Sequence, residues 1–150
     1  MQTTRTFAGL GSAIAAALLA VVMLHGSPLQ SSSKSEAYTK WVDQDVVYII
    51  APEERAAFLR LNSDQEKEEF IRQFWARRGE AVKKEHYRRI QYVNLHYTYG
   101  GKDGWETERG KTYILNGPPD EIETHLDRHT EQWLYRKGPD GPRILTFTIE

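Results

Sequence analysis

A few residues in this chain have the types and spacing to do chemistry. Glu108 and Asp120 are acids in a segment dense with glycine and aromatic residues. Two carboxylates in one cleft can act as general acid and general base, and a carboxylate or a metal-bound water can support hydrolysis. His125 and His129 have i, i+4 spacing, and on a helix they would share a face and could hold a metal with Glu123 or Asp127 nearby. Arg109 offers five donors in a planar fork suited to a carboxylate, with Asp120 as its expected partner. Trp105 carries a large ring for burial, and Thr107 and Glu108 can bond local backbone amides. The same group therefore supports three readings. It is a polar-clamped turn that plugs Trp105 into the helices, a ligand pocket lined by Trp105, Arg109 and Asp120, or a catalytic site.

Other chemistries are excluded. The chain has no cysteine, which removes disulfides, thiol nucleophiles and every Cys-ligated metal. Neither Gly-x-Ser-x-Gly nor Gly-x-Gly-x-x-Gly occurs. Gly110-Lys111-Thr112 resembles the end of a phosphate-binding loop, but the preceding glycine is misplaced, and Glu106 and Glu108 would repel phosphate. The segment after it reads as a strand, so no helix N-terminus is expected to face an anion. A formal net charge of −1 argues against nucleic-acid binding by bulk charge. Residues 72–89 hold seven basic and two acidic side chains, and residues 52–69 hold six acids and three bases. Pairing between these stretches is the simplest account of both. No metal site and no cofactor follow from these residues beyond the His125 and His129 pair.

The elements that must position these groups follow from periodicity. Val46–Ile50 is β-branched and aromatic, and reads as a strand or an extended entry segment. Pro52, Glu53 and Glu54 open a short helix reaching about Leu61. Ser63 and Glu66 have capping-box spacing, and Phe70, Ile71, Phe74 and Trp75 then mark one helical face up to a break at Gly79. Glu80–Tyr97 is a third helix, with Val82, His86, Ile90, Val93 and Tyr97 as its stripe. His86 is expected to be a packed core histidine. Residues 98–103 form a loop. Thr112–Leu115 reads as a strand, Asp120 as the cap of a short helix through His125, and Gln132–Arg136 and Arg143–Ile149 as two further strands. Leu145, Phe147 and Ile149 alternate with Thr146 and Thr148, so one face is expected to be buried. About three helices followed by an antiparallel sheet of about three strands make an α+β fold.

The charge is unevenly spread. Residues 1–30 hold one charged side chain, Arg5, and the remaining 120 hold 19 basic and 21 acidic. A cationic start before the apolar run Phe7–Leu24 is what export machinery reads. Residues 1–26 are thus expected to be a signal peptide or an uncleaved membrane anchor, residues 27–36 a Ser-rich linker, and residues 37–150 the folded domain.

The segment Gly104-Trp105-Glu106-Thr107-Glu108-Arg109-Gly110, with Tyr113-Ile114 and the turn Gly117-Pro118-Pro119-Asp120, resembles the GWxTD domain of exported bacterial proteins. Phe70, Phe74, Trp75 and Arg78 resemble that family's Phe-x-x-x-Phe-Trp-x-x-Arg helix. Tyr87, Arg88, Arg89 and Asn94 resemble its next helix, and Trp133 and Tyr135 its later strand. Glu108 stands where the family motif has Asp, and the segment Gly79–Lys83 is shorter than in relatives. The resemblance implies an exported domain of the cell envelope and brings no activity with it. The expectation is a non-enzymatic binding or interaction module, periplasmic or membrane-anchored, with an envelope protein or small ligand as partner and no nucleic acid. The alternative is an extracytoplasmic hydrolase using Glu108 with Asp120, or His125 with His129.

Overall fold

Ser63 starts the best-defined helix. Its hydroxyl accepts the Glu66 N–H at 3.3 Å while the Glu66 carboxylate accepts the Ser63 N–H at 3.0 Å, which satisfies two orphan donors together. In a computed structural model of the chain, residues 28–138 and 141–149 are described. Phe7–Leu24, the expected export segment, lies outside them. The order is α1 (Pro28–Lys40), a wide π-type turn at Trp41–Asp45, α2 (Pro52–Leu59), α3 (Asp64–Arg78), α4 (Glu80–His96), α5 (Glu108–Asn116), β1 (Glu121–His125), β2 (Thr130–Tyr135) and β3 (Arg143–Thr148). No described helix is long and apolar enough to cross a membrane.

The fold is α+β, as expected, but five described helices replace about three. The Ser-rich stretch read as linker is helical from Pro28. Its C-terminal end is tied down, because Lys34 and the Tyr38 hydroxyl both donate to Glu68 at 3.0 Å. Val46–Ile50 is a turn and not a strand. Val46 is fully buried, and its carbonyl accepts the N–H groups of both Ile49 and Ile50 at 2.9 Å. The β-branched side chains there serve packing, and no strand among the described residues pairs with them. Thr112–Leu115 belongs to α5, and residues 121–125 form β1 where a short helix was expected.

Two aromatic clusters fill the interior. Tyr38, Trp41, Val42, Val46, Phe58, Phe74 and Trp75 form the first, between α1, α2 and α3. Val93, Tyr97, Tyr113, Ile114, Trp133, Tyr135 and Phe147 form the second, between α4, α5 and one face of the sheet. The long helix α4 joins them. His86 and Tyr87, in its N-terminal half, contact the Trp75 ring at 5.5 Å, and Val93 sits in the second cluster. The sheet is antiparallel in the order β1-β2-β3. Its register places Trp133 opposite Ile122 on one side and Leu145 on the other.

Charged side chains staple the layers. Arg78 lies over the Phe74 ring at 3.6 Å, donates to Glu54 at 2.7 Å and reaches the Ile49 carbonyl. Arg77 meets the same carboxylate at 3.0 Å. The basic end of α3 is therefore neutralised by the acidic start of α2, as the opposed charge runs anticipated.

Candidate functional site

Gly104 and Gly110 show why the motif needs two glycines. A Cβ on Gly104 would lie 1.8 Å from the Val93 carbonyl oxygen, and one on Gly110 would lie 1.7 Å from the Gly104 carbonyl oxygen. Three backbones are thus stacked in van der Waals contact, that of α4 on the Gly104 turn and the turn on α5. The requirement is closeness of approach.

Polar groups then fix this stack. Thr107 is the N-cap of α5. Its hydroxyl accepts the Gly110 N–H at 3.0 Å and donates to the Gly104 carbonyl at 2.8 Å. The Trp105 N–H donates to Asn94 Oδ1 of α4 at 2.9 Å, and the Tyr48 hydroxyl donates to the Trp105 carbonyl at 2.9 Å. The Trp105 ring is half-buried beside Tyr48, with centroids 6.3 Å apart. At the other end of α5, Arg89 of α4 donates to the Ile114 carbonyl at 3.0 Å and the Tyr135 hydroxyl donates to the Gly117 carbonyl at 3.0 Å. Gly117 itself has a φ of 79°, which favours glycine. Burial pushes the Tyr135 phenol up to about 12.

The helix at Gly110-Lys111-Thr112 changes the reason for setting aside a phosphate loop. A helix does follow the Gly104 turn, and these three residues lie inside it. The Gly110 and Lys111 N–H groups are already given to Thr107, so they are closed to an anion.

Arg109 does not pair with Asp120. It faces Glu131 of β2 at 3.5 Å, and its guanidinium lies 5.1 Å from the Tyr97 ring centroid. Glu131 is further held by the Trp133 indole N–H, which donates to its other oxygen. Asp120 lies past the far end of α5, and about 10 Å of helix separates that end from Arg109 at the usual rise per residue. There it accepts the Arg136 N–H at 2.7 Å and locks the start of the hairpin. Glu108 and Asp120 are likewise at opposite ends of α5, so they do not converge in one cleft. His125 ends β1, and His129, with a φ of 50°, follows a short 3-10 turn. The helical face that would have joined them is not formed. His125 instead faces Glu123 at 3.5 Å. Among the described residues no three metal-ligating side chains are grouped.

The outer side of the motif opens on a groove of about 420 Å³. Lys102, Glu106, Thr107, Glu108 and Arg109 form one wall, and Thr146, Phe147 and Thr148 of β3 form the other. Glu106 is engaged by the Asp103 N–H at 3.0 Å. Burial, with the Tyr92 hydroxyl and the Glu131 carboxylate nearby, holds the Tyr97 phenol well above its ordinary range, so it stays neutral behind Arg109. A second groove of about 520 Å³ runs between α4 and α5, where Val82 and Leu115 are exposed.

The motif thus brings Trp105, Thr107, Glu108 and Arg109 to one place and leaves out Asp120, His125 and His129. Sequence reasoning missed Glu131 and Lys102, which carry no local signal. It also gave no role to Asn94, whose only hint was its place in the family's helix pattern. Comparison with protein-family models matches residues 30–150 to the GWxTD domain. No curated protein and no solved structure matches the chain. The backbone stack that requires Gly104 and Gly110, the Thr107 cap and the match over most of the chain agree, and the chain belongs to the GWxTD domain family.

Proposed function

We propose that this protein is an exported, non-enzymatic binding module of the bacterial cell envelope, with its ligand surface in the groove between the start of α5 and β3. The observation that carries this reading is the division of labour within the motif. The inward groups of Gly104, Trp105, Thr107 and Gly110 are consumed in holding α4, the turn and α5 together. Glu108 and Arg109 of the same segment line an open groove. A rigid backbone stack that presents polar side chains to a cleft is the arrangement of a binding site. Export is supported by Arg5 followed by the apolar run Phe7–Leu24.

A photo-crosslinking side chain at Glu108, in cells, tests the reading. A discrete crosslinked species in the envelope fraction is expected from position 108 and not from the exposed position Glu53. Identical patterns from both positions, or recovery of the protein in the cytoplasm, would overturn it.

A further inference from the structure

The two edges of the sheet are built differently. Glu121 and Glu123 of β1 place acids along one edge, and Glu121 is paired with Arg136. Charged side chains of this kind discourage another strand from pairing there. β3 reads Arg143-Ile144-Leu145-Thr146-Phe147-Thr148, with no charge after Arg143, no proline and no glycine. Among the described residues it pairs with β2 alone.

The register shows which main-chain groups this second edge offers. The Ile149 N–H donates to the His129 carbonyl at 2.8 Å, and Phe147 stands opposite Glu131 and Leu145 opposite Trp133. Hydrogen-bonded pairs alternate with non-bonded pairs in an antiparallel ladder. Positions 145 and 147 therefore turn their N–H and C=O groups toward β2. Ile144, Thr146 and Thr148 turn theirs outward, and the last two line the groove whose other wall holds Lys102, Glu108 and Arg109.

Resting on the binding-module reading above, we infer that the ligand is an extended polypeptide segment of a partner protein that adds as a fourth strand against β3. Outward N–H and C=O groups at every second residue match a strand and little else. The wall selects the side chains. Glu106 is engaged by Asp103 and Arg109 by Glu131, whereas no described ion pair involves Lys102 or Glu108. The incoming strand is therefore expected to carry a basic side chain toward Glu108 and an acidic one toward Lys102. A second copy of this chain fits less well, because its own β3 lies behind the same wall.

The probe is a capped peptide of about eight residues that alternates threonine and valine and carries one lysine and one glutamate. Its partner probe is the same peptide N-methylated at alternate residues. With isotope-labelled protein, saturable amide shifts and slowed hydrogen exchange are expected at Ile144, Thr146 and Thr148. The methylated peptide should not bind. Thr146→Pro removes one outward N–H without touching a β2 bond, so it should melt like wild type and weaken binding about tenfold, the weight of one or two main-chain hydrogen bonds. No shifts at these three amides, equal binding of the methylated peptide, or full affinity in Thr146→Pro would overturn the inference. If the peptide binds through Glu108 but ignores both backbone changes, the groove is a binding site of another kind. If crosslinking at Glu108 is also empty, the binding-module reading fails with it.

Discussion

Gly110→Ala tests the central claim about the motif because helix propensity and packing predict opposite signs. Gly110 sits in the first turn of α5 with a φ outside the left-handed region. At such a position alanine normally stabilises by about 1 kcal/mol. Here the new Cβ would lie 1.7 Å from the Gly104 carbonyl oxygen and 2.7 Å from its carbon, both of them backbone atoms. Restoring normal contact requires α5 to move by about 1.5 Å away from the turn. That movement pulls Thr107 away from the Gly104 carbonyl. Overpacking costs about 1–3 kcal/mol and the broken hydrogen bond about 1 kcal/mol, so a net loss of about 2 kcal/mol is expected after the propensity gain. With a urea slope of about 2 kcal/mol/M, the unfolding midpoint should drop by about 1 M. Tryptophan fluorescence during equilibrium unfolding reads this directly. Gly104→Ala, with its Cβ 1.8 Å from the Val93 carbonyl oxygen, should fall in parallel. A Gly110→Ala protein with the wild-type midpoint or a higher one would refute the stacked-backbone account.

Three other outcomes are expected. Arg109→Ala leaves Glu131 half-paired behind the groove and should cost about 1–3 kcal/mol, with non-additive effects when combined with Glu131→Gln and additive effects with Asp120→Ala in a thermal double-mutant cycle. Glu54 is held at about 2, first by the bonds from Arg78 and then by the Ala51 N–H and Arg77, against an ordinary 4.5. Its contribution is complete above pH 4.5 and lost as pH falls toward 2, so Glu54→Gln should lower stability at neutral pH and flatten that acid slope in thermal melts. Burial lowers the pKa of His86, whose Nε2 meets the Asp45 carbonyl at 2.6 Å, with the Asp45 charge opposing the shift and Arg89 adding to it. The unfolded chain takes up the proton first, so stability should fall as pH drops through 6.5. His86→Phe should remove that part of the pH dependence, and an unchanged curve would place the buried proton elsewhere.

Much of the helical half was legible in the sequence because its signals are local. Ser63 and Glu66 cap α3, Pro52 opens α2, Gly79 breaks the chain with a φ of 91°, and His86 packs as a core histidine. The hairpin β2-β3 was legible from alternation. The errors share one cause. Val46–Ile50 and Thr112–Leu115 are β-branched or aromatic runs, and propensity reads the first as a strand or an extended entry segment and the second as a strand. One became a buried turn, and the other a helix set by the Thr107 cap and the burial of Tyr113 and Ile114. Asp120 was read as a helix cap and as the partner of Arg109. It latches the hairpin because β1 pairs with β2 over its whole length.

For the site, the sequence by itself determined the family, the α+β class and the residues of the motif, since these depend on identity and order along the chain. It also determined that no thiol or disulfide chemistry is present. Only the tertiary structure decided which carboxylate faces Arg109, because Glu131 arrives from a strand paired far along the chain. It also decided that Gly104 and Gly110 serve contact between backbones, and which edge of the sheet is left unpaired among the described residues. Those facts depend on distances between segments remote in sequence, and packing alone sets such distances.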